Sequence, residues 1–357
     1  SQIGGRRNIV INGAMQVAQR STSETGVFDA SQYETIDRFK INGSTSGRAT
    51  MSQSTDTPNG FANSLKLDCT TADTSIAAGE FGIIRYLIEG QDLQQIKKGT
   101  SDAEKVTISF YVKGNANATY QLEFKDGDNN RVNAQTFNVT TSWNRIILTF
   151  DADTTGAFDN DNAASVQLNF WLHAGSNYTS GTFTSNTWQD GSASDGIRVG
   201  SITSFFDSTD RTFFLTGLQM EVGEQATPFE HLSQAETEKL CHRYFQSVTY
   251  EGFVSISVGI IYTNGVNAVV PMRYEFGKMR STPTITLPTA GQSSGGTISL
   301  LNSTAGYPTT TGTHSVPYAN DTTYTIRAAS YSGLANASGA SWFYPNGDAT
   351  FQYDAEL

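Results

Sequence analysis

The sequence predicts an all-β protein: a jelly-roll β-sandwich, then a short helix, then a second, smaller C-terminal β-sandwich. Three observations lead there. Charged residues make up only 16 % of the 357, while Gly, Ser, Thr and Asn are abundant, a balance that suits short strands and turns better than long surface helices. Between Ile9 and Val222, about ten segments alternate apolar and polar residues at the two-residue period of a half-buried strand. Finally, 21 Phe and 15 Tyr supply large apolar areas, each stabilising by about 1.5–3 kcal/mol when fully buried. A chain this long exceeds one small core, and the division expected is a jelly roll over 1–232, a connector helix over 233–250 and a tip domain over 251–357.

GQDLQQIKKG, at 90–99, reads as a brief helical stretch. The clearest strand is KVTISFYVKG, which puts Val106, Ile108, Phe110 and Val112 on one face and Thr107, Ser109, Tyr111 and Lys113 on the other. TYQLEFKDGDNNRV follows as strand, Asp-Gly turn and strand, and WNRIILTFD and SVQLNFWLHAG repeat the pattern. In GLQMEVGEQATPFEHL, at 217–232, the strand led in by Phe213, Leu215 and Leu218 is loosened by Gly217 and Gly223 and closed by Pro228. Ser233-Gln234-Ala235-Glu236 is then a capping box, in which hydroxyl and carboxylate each satisfy a free N–H at a helix start. Leu240, Cys241, Tyr244 and Phe245 share one stripe, which predicts a helix over 234–246. Strands resume in FVSISVGIIY from 253, NAVVPMRYEF, TPTITL, GTISLL, YTIRAAS and ATFQYDAEL, with a Gly/Ser/Thr-rich loop region expected from Thr289 to Asn320.

The net charge of −11 argues against binding a nucleic-acid backbone, which requires clustered Lys and Arg. No apolar run reaches the ~18 residues of a membrane span, and the first residues lack a signal-peptide core, so neither membrane insertion nor an export signal is expected. Cys69 and Cys241 are too few for a disulfide framework and read as free, buried thiols. The Asn-x-Ser/Thr triplets at Asn117, Asn138 and Asn177 matter only in a secreted eukaryotic protein.

No zinc spacing joins His173, His231, His242 and His314, and neither a G-x-S-x-G elbow nor a phosphate-binding G-x-x-x-x-G-K-[ST] occurs. No catalytic residue, metal site or cofactor is therefore expected, apart from a surface Ca2+. For that ion, DGDNN offers Asp126, Asp128 and Asn130 but has Arg131 and Phe137 where an EF-hand loop needs Gly and Glu, so it reads as a hairpin turn; DNDN at 159–162 reads as an exposed polar turn. On one face of adjacent strands, Glu123 and Asp151 are available as a carboxylate pair for glycoside hydrolysis, though no spacing singles them out in an acidic chain.

SVQLNFWLHAG carries the sharper signal. With Val166, Leu168, Phe170 and Leu172 facing the core, Gln167, Asn169, Trp171 and His173 face away from it, and Gln121, Glu123 and Tyr111 extend the row. Amide, indole and imidazole groups suit sugar recognition, the ring stacking on C–H groups while the others exchange hydrogen bonds with hydroxyls. The alternative is that Trp171 packs under a loop or against another subunit. Toward the C-terminus, Tyr318, Trp342 and Tyr344 are further candidate contacts, with Trp342 equally readable as a buried plug.

Three segments carry a family resemblance: NIVINGAMQVAQRS at 8–21, YETIDRFKI at 33–41 and GLQMEVGEQATPFEHLSQAETEKLCHRYFQ at 217–246. Together they resemble the signature segments of tailed-bacteriophage tail-fibre (receptor-binding) proteins, whose jelly roll is similar to carbohydrate-binding modules. In that family a Gln-x-Glu-Val-Gly-x-x-Ala-Thr-Pro-Phe-Glu segment closes the sandwich; here it is Gln219, Glu221, Val222, Gly223, Ala226, Thr227, Pro228, Phe229 and Glu230. Cys241, Arg243, Tyr244 and Phe245 match the helix that follows. The resemblance implies a homotrimer in the virion tail, made in the host cytoplasm, that binds a host cell-surface glycan and sits beside other virion tail proteins. Virion attachment is expected through another protein or through a region trimmed from this chain. Two other readings remain open: a structural virion protein without a receptor, and a polysaccharide depolymerase.

Overall fold

The computed structural model describes residues 6–191, 198–252, 256–262, 267–290, 297–302, 312–329, 331 and 340–357. The protein is all-β, with helix confined to short pieces. It divides after Glu238: the chain up to that residue, with Leu357, is one unit, and Lys239–Glu356 is the second.

The first unit contains β1 (Ser23–Val27), β2 (Ser31–Tyr33), β3 (Phe39–Ser44), β4 (Arg48–Ser54), β5 (Ser64–Thr71), β6 (Phe81–Glu89), β7 (Val106–Gly114), β8 (Ala118–Asp126), β9 (Arg131–Val139), β10 (Asn144–Phe150), β11 (Ala164–Ala174), β12 (Gln189–Asp190) and β13 (Thr212–Val222). They build a six-stranded sheet, β1-β4-β5-β13-β7-β10, and a seven-stranded sheet, β12-β9-β8-β11-β6-β3-β2. The apolar faces meet as the alternation predicts: Phe110 of β7 meets Phe170 of β11 edge-on at 5.1 Å, and Phe124 of β8 meets Phe150 of β10 at 5.7 Å. Edge-to-face rings stabilise by about 0.5–1.5 kcal/mol beyond their burial.

GQDLQQIKKG forms two 3-10 turns, Gly90–Asp92 and Gln94–Ile96. They deliver Lys98 to a buried position, where its ammonium meets Asp126 at 2.6 Å and Asp153 at 3.1 Å and donates to the carbonyls of Thr155 and Gly156. Asp126 also accepts the Asn129 N–H at 3.0 Å, so DGDNN is the hairpin turn between β8 and β9.

The start and the exit of this unit interlock. Asn8 and Arg7 donate backbone N–H groups to the Glu230 carboxylate at 2.8 and 2.9 Å, and the Asn8 side chain bridges Leu218 and Met220 of β13. Gly13 is required there, because a Cβ would lie 2.0 Å from the Leu218 carbonyl oxygen. Gln219 and Glu221 bond inward to Thr227 and Glu230, so the closing motif does structural work.

The capping box forms: the Glu236 carboxylate accepts the Ser233 N–H at 3.1 Å, and the Glu236 N–H reaches the Ser233 hydroxyl at 3.3 Å. The helix after it is shorter than expected, however, with α1 at Ser176–Thr179 and this α2 at Gln234–Cys241. Tyr244 turns back onto the Cys241 carbonyl at 2.8 Å, and the β-favouring FQSVTY run becomes a strand; the connector expected over 233–250 thus ends early.

The second unit holds β14 (Phe245–Tyr250), β15 (Ser257–Tyr262), β16 (Asn267–Arg273), β17 (Thr284–Thr286), β18 (Thr289–Ala290), β19 (Thr297–Asn302), β20 (Thr313–Ala319), β21 (Thr323–Ala329), β22 (Ala340–Asn346) and β23 (Ala349–Asp354). They form sheets β14-β23-β17 and β18-β19-β22-β15-β16-β21-β20. Residues 253–255 of the expected first strand lie outside the described residues. Within the Thr289–Asn320 region the expected GTISLL strand forms as β19, and β18 and β20 are strands where loop was expected, their Thr residues being compatible with strand pairing. Cys69 and Cys241 are buried and form no disulfide, and burial pushes the Cys69 thiol up to about 11.

Candidate functional site

β11 positions the polar row as expected, but the row is not open to solvent. Asn169 pairs with Glu123 and Trp171 with Gln121 across the β8–β11 register, so these four share a face. The chain around 198–202 and the Ser176–Thr179 helix cover it. Trp171 is 2 % exposed and packs with Ile83, Val199, Phe81, Tyr178 and Ile202. Its ring lies 5.2 Å from Tyr178, with the Arg198 guanidinium 5.4 Å from its centre. Trp171 therefore lies under a loop, the second of the two readings open to it.

Beneath the ring sits a closed charge network. Glu123, fully buried, accepts from Asn169 Nδ2 at 2.7 Å, Trp171 Nε1 at 3.2 Å and Arg198 Nη2 at 3.1 Å, while Arg198 Nε serves its other oxygen. Arg85 donates to Asn169 Oδ1 at 2.8 Å, and Gln121 holds the covering chain through the Arg198 carbonyl and the Gly200 N–H, both at 2.8 Å. Burial works against the charge on Glu123, but Arg198, Asn169 and Trp171 together hold the carboxyl below its usual range. Such a network fastens a loop to a sheet. It also removes the proposed hydrolytic pair: Glu123 lies in the seven-stranded sheet, whereas Asp151 follows β10 of the other sheet and bonds Asn186 and Lys105.

His173 stands apart at the end of β11, beyond a bulge between Trp171 and His173. Its Nδ1 meets the Ser204 hydroxyl at 2.8 Å, and its Nε2 faces Asp73 at 3.9 Å and Glu80 at 4.0 Å. Asp73 follows β5 and Glu80 precedes β6, so one loop brings both carboxylates. Burial holds the imidazole below its usual range, with the two carboxylates pulling the other way.

Tyr111 does not extend the row. Strand order places it in the six-stranded sheet, on the outer face of β7, because β7 pairs with β10 and β13 rather than with β8. There it is half-buried and joins rings that the sequence reading passed over. Phe61 lies 5.3 Å from Tyr111, 5.0 Å from Phe229 and 5.1 Å from His231. Gly217 makes this possible: it sits at φ +63° in a bulge of β13, and a Cβ would lie 2.8 Å from both the Phe61 and Tyr111 rings. Nearby on the same sheet, Trp143 packs on Phe214 at 6.0 Å and donates Nε1–H to Asp56 at 3.1 Å, with Lys113 on the same carboxylate. No spacing rule links residues 61, 111 and 229, so only pairing brings them together.

In the second unit Tyr318, on β20, is 77 % exposed. Trp342 and Tyr344 lie in β22, and their side chains are outside the described residues.

No protein-family model and no curated protein matches the chain. Among solved structures it is similar to a CBM4 carbohydrate-binding module, at 13 % identity and a TM-score of 0.29, over 55 % of this chain and 97 % of that one. It is also similar to a family 11 carbohydrate-binding module of a cellulosomal cellulase of Clostridium thermocellum, at 12 % and 0.29, over 58 % and 99 %. A third similarity is to the enzymatically active domain of tailspike protein 4 of bacteriophage CBA120, at 15 % and 0.30, over 60 % of this chain and 21 % of that one. Likeness at this level says nothing of ligand or assembly.

Proposed function

We propose that the chain is a non-enzymatic adhesin of the bacteriophage tail-fibre type, which binds a host-surface glycan as a homotrimer joined to other tail proteins of the virion. The tail-fibre part of this reading rests on the segments at 8–21, 33–41 and 217–246. The glycan part rests on one observation: the half-exposed rings of Phe61, Tyr111 and Phe229, with exposed His231, gathered on the outer face of a sheet. Ring faces there can take the C–H side of a sugar, and nearby polar groups such as Arg145 and Lys113 can bond its hydroxyls. Each contact of this kind is weak, and three copies on one body gain avidity of roughly 10² or more when they engage together.

The test is binding of the full chain and of its Tyr111→Ala and Phe229→Ala variants to intact host cells and to envelope glycans, with mass followed by light scattering. Variants that keep the trimer and lose adsorption support the reading. A loss seen only with Tyr318→Ala moves the contact to the second unit. A chain that ignores cells yet joins virion components is a structural protein, and released reducing ends would make it a depolymerase.

A further inference from the structure

Among the described residues, Asp73, Glu80 and His173 are the one group of His, Cys and acidic side chains whose ligand atoms lie close enough to share an ion, all within 4.8 Å of one another. The cluster is built rather than incidental. The Asp73 and His173 side chains are 2 % and 0 % exposed, and Glu80 is 18 % exposed. Thr45 donates its hydroxyl to Asp73 Oδ2 at 2.7 Å, and Ser204 holds His173 Nδ1 at 2.8 Å while accepting the Phe206 N–H at 3.1 Å. A hydrogen bond on the far nitrogen is the arrangement that orients a metal-ligating imidazole.

His173 Nε2 is the telling atom. It is buried and has no hydrogen-bond partner. At 3.9 and 4.0 Å the carboxylates are too far to accept a proton from it and too close to be unrelated to it. Leaving a buried polar atom unmatched is costly, and two carboxylates beside it add repulsion. A single cation between them removes both penalties. Ligands held about 2.1 Å from a tetrahedral ion stand about 3.4 Å apart, so closure requires the group to contract by about half an ångström per His–carboxylate pair. Glu80, on a turn and partly exposed, can supply it for its own pair by releasing the Ala77 N–H that its carboxylate accepts at 2.6 Å, while the Asp73–His173 pair closes by side-chain rotation.

The geometry points to a divalent transition-metal site at Asp73, Glu80 and His173, of the Zn2+ class, with solvent completing the coordination. The imidazole ligand is what favours this class over Ca2+ and Mg2+, which prefer oxygen alone. The ion would staple the 73–80 loop to the end of β11. Its ligands come from one eight-residue loop and from a strand residue far away in sequence, which is why no spacing motif announced it.

Chelator-treated full chain titrated with Zn2+, and separately with Co2+ read by its visible absorption, tests the site. One equivalent is expected to bind, with Ca2+ and Mg2+ failing to compete. Glu80→Gln is expected to weaken Zn2+ binding at least ~10-fold while leaving the far-ultraviolet spectrum unchanged. His173→Ala tests the imidazole directly, and Glu80→Gln keeps the question answerable if that buried variant does not fold. Absence of Zn2+ and Co2+ binding, equal binding of Ca2+, or Zn2+ affinity unaffected by Glu80→Gln would overturn the assignment.

Discussion

Two buried polar clusters hang from the same strand, and they are finished differently. Around Glu123 the carboxylate is fully matched: it has Arg198 at both oxygens and two neutral donors besides, while Arg85 bonds the Asn169 amide. Around His173 the imidazole and the Asp73 carboxylate are enclosed and Glu80 reaches in from a partly exposed turn, yet Nε2 is unmatched. Burial alone therefore does not separate a structural cluster from a binding one. Matching does here: the satisfied Glu123 carboxylate fastens a loop to the sheet, whereas the unmatched Nε2 between two carboxylates is left for an ion to bridge.

The strongest way to break that contrast is to open the closed cluster. Arg198→Ala leaves the buried Glu123 charge without its cation, with only the neutral donors Asn169 and Trp171 on it, and should lower stability by about 3–5 kcal/mol, read as an earlier urea midpoint at an unchanged slope. A loss under 1 kcal/mol would mean that the Glu123 cluster is not what holds the covering chain. Closing the open cluster is the converse: Zn2+ at 100 times its dissociation constant should raise stability by about 2.7 kcal/mol in the parent chain and by much less in Glu80→Gln. Thermal scans with and without the ion would show it.

A smaller effect is expected on the uncovered face. Gly217→Ala forces a side chain into a left-handed position against two rings, and should cost about 1–2 kcal/mol in denaturant titrations while displacing Phe61 and Tyr111. If the rings contact glycan, cell binding falls along with it; intact binding at reduced stability would dissociate the two.

Acid sharpens the contrast with the least perturbation. Burial pulls the His314 imidazole in the second unit down to about 4, from an ordinary 6.5. The unfolded chain then takes up a proton near pH 6.5 and the folded one does not, so this contribution is lost as pH falls from 6.5 toward 4. Glu123 is depressed from a usual 4.5, so its contribution is intact above about that pH and lost only as pH falls further. The His314 contribution should therefore be lost before that of Glu123, and an NMR titration of His314 with a midpoint near 6.5 would refute that order.

The strands were legible because alternation is local. The two faces of SVQLNFWLHAG emerge as read, and so do the DGDNN hairpin and the Ser233 capping box. What escaped was everything set by a second layer. The chain that covers Trp171 has no periodicity, and its anchor, Arg198, is 75 residues from Glu123. Tyr111 lies on the other sheet because sandwich strands pair out of sequence order, and α2 is short because pairing with β23 outweighs a helical stripe at Tyr244 and Phe245. Candidate sites inherit those errors, since a site is a meeting of strands rather than a property of any one.

The clasp between Asn8, Glu230 and β13 has a mechanical meaning. Chain enters and leaves the first unit through neighbouring bonds: the Arg7 and Asn8 N–H groups on one carboxylate, and Ile9 on the Met220 carbonyl at 3.0 Å. Tension applied along the backbone at these two points would fall first on these side-by-side bonds, and through Leu218 and Met220 on β13 in the middle of its sheet.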